Sequence, residues 1–254
     1  MNAWIRNHCK IRPTALRPTM SEEKTDADFD AGKKAFEEKD FANAFGCFMR
    51  SAENGNAEAQ FRIGNMLYYG IGTRQDLKKA LMWFRKGAEN GNADAQNELG
   101  LMYATGRNTQ RSPAKAFEWT EKAAEQNNRS AIYNLGTFYE SGCGCEVNFE
   151  YASLLYLKAA SMGMPEAAYS LGHLYHEGKG VEKDPAKAFL LCRTAAEEGY
   201  AKAVYDTAVL YLYGDGTERD LGKAKKYFQR AFELGFVKAR DNIRMIEEEE
   251  RKAQ

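Results

Sequence analysis

One period governs this chain. Cut every 36 residues from Ala57, residues 57–236 fall into five ungapped units: 57–92, 93–128, 129–164, 165–200 and 201–236. The phrase SAENGNAEAQFRIG at 51–64 returns as GAENGNADAQNELG at 87–100. A fixed period of roughly 20–50 residues marks a stacked array, in which no unit buries its apolar face alone and neighbours complete the core. That excludes most single-core architectures before any composition is considered.

The same chemistry returns at the same place in each unit. A small residue falls at Gly64, Gly100, Gly136, Gly172 and Ala208. Three residues on stand Leu67, Tyr103, Tyr139, Tyr175 and Tyr211, and three further on Gly70, Gly106, Gly142, Gly178 and Gly214. Residues 57–69 carry an apolar stripe at 3/4 spacing that stops at Gly70, where a left-handed residue ends a helix. Asp76, Asp184 and Asp220 then stand where an N-cap belongs, with Ser112 and Asn148 as equivalents. A second helix follows, with Ala80, Trp83, Phe84, Gly87 and Ala88 on one face. The units close on Gly91, Asn127, Gly163, Gly199 and Gly235. Each unit is therefore predicted to be a helix–turn–helix hairpin whose small residues let the paired helices approach closely. Residues 27–56 read as a shorter hairpin without the glycine loop. Residues 237–254 open like another first helix, with Val237, Ala239, Ile243 and Ile246, and end in the polar run EEEERKAQ expected of a cap.

The units AEAQFRIGNMLYYGIGTRQDLKKALMWFRKGAENGN and PEAAYSLGHLYHEGKGVEKDPAKAFLLCRTAAEEGY closely resemble the Sel-one-like repeat (SLR), a relative of the tetratricopeptide repeat. Asn108 stands where the loop usually has its second glycine, Ala208 replaces the helix glycine, and Leu155 and Leu191 replace the tryptophan seen at Trp83 and Trp119. The resemblance implies an all-α, right-handed solenoid over residues 26–254, following a basic tail at 1–25. It also implies a concave surface lined by first helices and a role as adaptor or scaffold for another protein. Cysteine-rich relatives proposed to act on β-lactams carry a regular pair of cysteines per repeat, which this chain lacks.

Charge narrows the partner classes. Basic and acidic residues balance at 36 each, so no global field favours nucleic acid or an anionic membrane. No apolar run reaches the roughly 18 residues needed to span a bilayer. Five cysteines at irregular spacing make a poor disulfide framework and point to a reducing compartment, with the cytoplasm as the expected location. The stretch MNAWIRNHCKIRPTALRPT holds Arg6, Lys10, Arg12 and Arg17 but no acid. It reads as a disordered tail, as the product of a start codon upstream of Met20, or as an organelle transit peptide.

A binding face is sought among residues that vary between units. On the first helix, positions 4, 7, 8 and 11 form the core stripe, and positions 2, 6, 9 and 13 point the other way at about 100° per residue. In the five units these are Glu58, Arg62, Asn65 and Tyr69; Asp94, Glu98, Leu101 and Thr105; Ser130, Asn134, Thr137 and Ser141; Glu166, Ser170, His173 and Glu177; and Lys202, Asp206, Val209 and Tyr213. The set holds six acids against Arg62 and Lys202, with Tyr69, Tyr213, Leu101 and Val209 as apolar anchors. It predicts a mildly acidic groove for a basic or amphipathic peptide; the plainer reading is a solvated helix face.

Two constellations carry an alternative, enzymatic or metal-binding reading. His173 and His176 share a helix edge, but two imidazoles are too few for a zinc site. Cys143 and Cys145 form a C-x-C pair in a glycine turn and lack the four ligands of a structural site. No catalytic motif stands apart from the repeat pattern, so the expectation is a non-enzymatic protein without a cofactor.

Overall fold

The computed structural model describes residues 26–252, so the basic stretch 1–25, with its tail and transit-peptide readings, lies outside the described residues. Within them run thirteen α-helices and no strand. Helices α1 (Ala27–Glu37) and α2 (Phe41–Glu53) form the short first hairpin. Then follow α3 (Ala57–Tyr69) with α4 (Leu77–Glu89), α5 (Ala93–Thr105) with α6 (Pro113–Glu125), and α7 (Arg129–Ser141) with α8 (Phe149–Ser161). Next come α9 (Pro165–Glu177) with α10 (Pro185–Glu197), α11 (Ala201–Tyr213) with α12 (Leu221–Glu233), and the single closing helix α13 (Ala239–Lys252). Each helix packs chiefly on its neighbours in the chain, so the molecule is an all-α solenoid with a C-terminal helix.

The punctuation is chemical. Asn56, Asn92 and Asn128 cap α3, α5 and α7 by accepting from the backbone N–H three residues on. Asp40, Asp76, Asn148, Asp184 and Asp220 do the same for second helices. Ser112 departs from the predicted set, because its side chain makes no cap hydrogen bond. The proline after it is not the cause: Asp184 caps ahead of the same Pro-Ala-Lys sequence with the longer acidic side chain. First helices of the repeats end on left-handed glycines such as Gly70, at φ 72°. Asn127 and Asn108 adopt φ 59° and 57° at places where other units use glycine, as asparagine tolerates that region better than most residues.

The core runs along the stack rather than sitting in one place. Ala59, Ile63, Leu67, Ala80, Trp83 and Phe84 bury the first full unit, and equivalent residues repeat the pattern beyond it. Small helix residues make the close approach possible: a Cβ on Gly64 would stand 2.6 Å from the Phe84 ring. At the far end Ala239 and Ile246 of α13 are fully buried with Ala203 and Phe228. Val237, read from the sequence as part of that stripe, instead precedes the helix and is 72% exposed. The acidic run on α13 is tied down: Arg219 reaches Glu249 at 2.7 Å, and Lys225 reaches Glu247 and Glu250 at 3.2 Å.

Candidate interaction face

Four of the six acids expected to floor a groove are engaged by neighbouring side chains. Glu58 accepts from Arg62 Nε at 2.8 Å and from Asn92 Nδ2, at the start of the next hairpin, at 2.8 Å. Asp94 accepts from Asn128 Nδ2 at 2.7 Å in the same way, one unit later. These acids serve joints between hairpins. Asp206 accepts from the Tyr169 hydroxyl at 2.6 Å and faces His173 at 3.8 Å, while Glu177 pairs with Lys179 at 2.7 Å. Asn134 donates to Asn97 of the preceding unit at 2.8 Å, and Thr137 donates to the Asn134 carbonyl. Asn65 and Ser170 are half-buried. Val209 is half-buried against the core of the last units rather than freely offered. Tyr69 and Tyr213 are well exposed, but they stand four units apart at opposite ends of the array.

Glu98, like Glu166, has no such partner among the described residues, but it is set in an apolar wall. It stands in the common wall of two adjacent cavities beside first helices. One, of about 340 Å³, takes Phe36, Phe61, Met66, Tyr69 and Ile71; the other, of about 150 Å³, takes Tyr68, Leu101, Met102 and Arg107. Burial among these residues raises the Glu98 carboxyl above its ordinary value, against the favourable charge of Arg107 and with the unfavourable charge of Asp94. No side chain donates to it among the described residues. Arg107 is turned to the Tyr68 hydroxyl at 2.6 Å.

The histidines lie over a third cavity, of about 280 Å³, between α9, α10 and α11. His176 Nε2 meets Asp215 at 2.7 Å and His173 faces Asp206, so the two rings are held by separate carboxylates. The Asp206 carboxylate beside it raises His173 above its ordinary value, against the opposing effect of burial. Among the described residues no three His, Cys, Asp or Glu side chains are arranged to hold a metal ion. Cys143 and Cys145 are free and half-buried, and burial pushes both thiols up, the opposite of what a nucleophilic thiolate requires.

One surface was missed in reading the sequence. Leu154, Leu157 and Leu190 of α8 and α10 are each about half exposed on second helices. The signal was present, since Glu118 and Lys226 occupy the place of Leu154 and Leu190 in other units.

The Sel1 repeat model matches residues 57–92, 93–128, 129–164, 165–200 and 201–236. The chain belongs to the Sel1 repeat family. Its structure resembles a Sel1 repeat protein from Oxalobacter formigenes at 30% identity and TM-score 0.79, covering 85% of this chain and 86% of that one. It also resembles c5321, a protective antigen with an SLR fold from uropathogenic Escherichia coli, at 30% identity and TM-score 0.78. That match covers 85% of this chain and 47% of the antigen, so the chain spans about half the antigen's length. The immunity protein Pa5087 from Pseudomonas aeruginosa shares the fold at 20% identity and TM-score 0.52, over 80% of this chain and 81% of that one. A search of curated proteins finds no match. Sel1 repeat proteins generally mediate protein–protein interaction, and the scaffold is generally non-enzymatic. Among the described residues, no helix of this Sel1 repeat chain is long and apolar enough to cross a membrane.

Proposed function

We propose that this Sel1 repeat protein is a non-enzymatic adaptor that grips a basic, amphipathic segment of another protein on its first-helix surface. Glu98 carries the reading. A carboxylate set in an apolar wall, with no donor of its own, gains most when a partner brings a cation beside apolar side chains. Tyr69, Leu101 and the flanking phenylalanines offer the apolar half of such a contact. Such an anchor in a partly desolvated pocket is the kind that dominates an interface.

The test is affinity purification with the full chain and with Glu98→Gln, followed by affinity measurement on the partner recovered. Neutralising the carboxylate while keeping its shape is expected to weaken binding about tenfold or more, with a reduced response to salt. Unchanged partners and unchanged salt dependence would refute the reading. Glu58 is a poor residue for this test, because its loss opens the joint to Asn92.

A further inference from the structure

The repeat explains how the cavity under the histidines arises. Position 28 of each unit packs on the small residue at position 8, and in three units it is an aromatic ring: Phe84, Tyr156 and Phe228. A Cβ on Gly64 or Gly136 would meet the facing ring at 2.6 and 2.7 Å. In the unit 165–200 the ring is replaced by Cys192, which faces Gly172. Both residues line the 280 Å³ cavity, together with Ala188, Val209 and Leu210. Thr120 also replaces the ring, in the unit 93–128, but the cavity in the unit 165–200 is the one that opens beside the histidines.

Its remaining lining is polar and supplied by two successive units. His173 and His176 come from α9, Asp206 from α11, and Asp215 from the loop that follows. Tyr169 donates to Oδ2 of Asp206 and His176 meets Oδ2 of Asp215, while His173 stands 3.8 Å from Oδ2 of Asp206, so among the described residues no donor reaches Oδ1 of either carboxylate.

We propose that this cavity is an anchor pocket for an arginine side chain of the partner protein, with the stem on the apolar floor and the guanidinium between Asp206 and Asp215. The partner comes from the adaptor reading above, but the pocket owes nothing to Glu98. At about 280 Å³ the cavity lies just below the roughly 300–1,000 Å³ of small-molecule sites, a size suited to a single side chain. Arginine suits it better than lysine: its planar fork bonds two carboxylates and stacks on an imidazole, and its methylenes cover apolar surface.

His173 then makes capture pH-dependent. The groups around the two histidines are Tyr169 and Glu177 on α9, Cys192 on α10, Asp206 on α11, Asp215 in the loop and Glu140 on α7; Lys179 is paired with Glu177. A protonated His173 brings a rival cation to Asp206, so arginine is expected to bind more weakly as pH falls.

The experiment follows the His173 and His176 ring signals of the full chain by NMR while N-acetyl-arginine amide is added. At about pH 7.5 the shifts are expected to saturate, and at about pH 5.5 the affinity is expected to fall about fivefold or more. The neutral citrulline analogue is expected to give no saturation. Cys192→Phe, which restores the aromatic found in other units, is expected to abolish arginine binding in a chain that still melts cooperatively. If that variant does not fold, the Asp206→Asn/Asp215→Asn chain decides, with loss of binding expected. Absent saturation, an equal response to citrulline, or unchanged binding in either folded variant would overturn the proposal. The probe needs no partner, so its failure leaves the Glu98 reading standing, and failure of the Glu98 test leaves the pocket standing.

Discussion

Phe84 lies so close over Gly64 that a Cβ on that glycine would stand 2.6 Å from the ring. The contact sets how near α3 and α4 can come, and Tyr156 over Gly136 repeats it at 2.7 Å. Gly64→Ala is expected to destabilise the chain by about 1–3 kcal/mol through overpacking. Ala208 already faces Phe228 in the last unit, so a compensated spacing exists within the same fold. Combining Gly64→Ala with Phe84→Leu is expected to recover part of the loss. Chemical denaturation of the four chains in this cycle measures the coupling.

Thr207 stands where other units place Ile63, Leu99, Leu135 and Leu171. It is fully buried, and its Oγ1 has no hydrogen-bond partner among the described residues. Thr207→Val removes the unpaired hydroxyl and keeps the shape, so stability is expected to rise by about 1 kcal/mol. A shift in the denaturation midpoint without a change in slope checks this.

The closing helix separates packing from charge. Ile246→Ala empties a fully buried site and is expected to cost about 2–5 kcal/mol. Arg219→Ala breaks a pair at 2.7 Å that stays half exposed, and the expected cost is at most about 1 kcal/mol, shrinking with salt. Parallel melts in low and high salt distinguish the two.

The pairing of His173 with Asp206 makes stability depend on pH in a fixed direction. The folded chain raises His173 above its ordinary value of 6.5. The contribution is therefore complete below about pH 6.5 and is lost as pH rises through the raised value. Asp206→Asn is expected to flatten this part of the profile, as read from thermal midpoints between about pH 5.5 and 8. A wild-type profile that gains stability on crossing this window, relative to the variant, would contradict the assignment.

The helices were legible because their determinants are local and repeated five times. Gly70 ends α3 and Asp76 starts α4 through bonds within a few residues, which periodicity exposes directly. The interaction face was less legible because its chemistry crosses units. Glu58 looks like a free groove acid until Asn92, 34 residues on, is seen to donate to it. Glu98 sits at the equivalent of Arg62, one unit later, and only the stacked structure shows the apolar wall around it. The exposed leucines Leu154, Leu157 and Leu190 occur in only two of the five units, so the period itself does not mark them.

Those leucines also supply the control for the central claim. A photo-crosslinking residue placed at Leu101 on a first helix, at Tyr69 beside it, or at Leu157 on the outer face reports which surface the partner touches. The account expects one partner to be captured from positions 101 and 69, with little capture from 157, and expects Glu98→Gln to reduce that capture. Capture from position 157 alone, indifferent to Glu98, would contradict it.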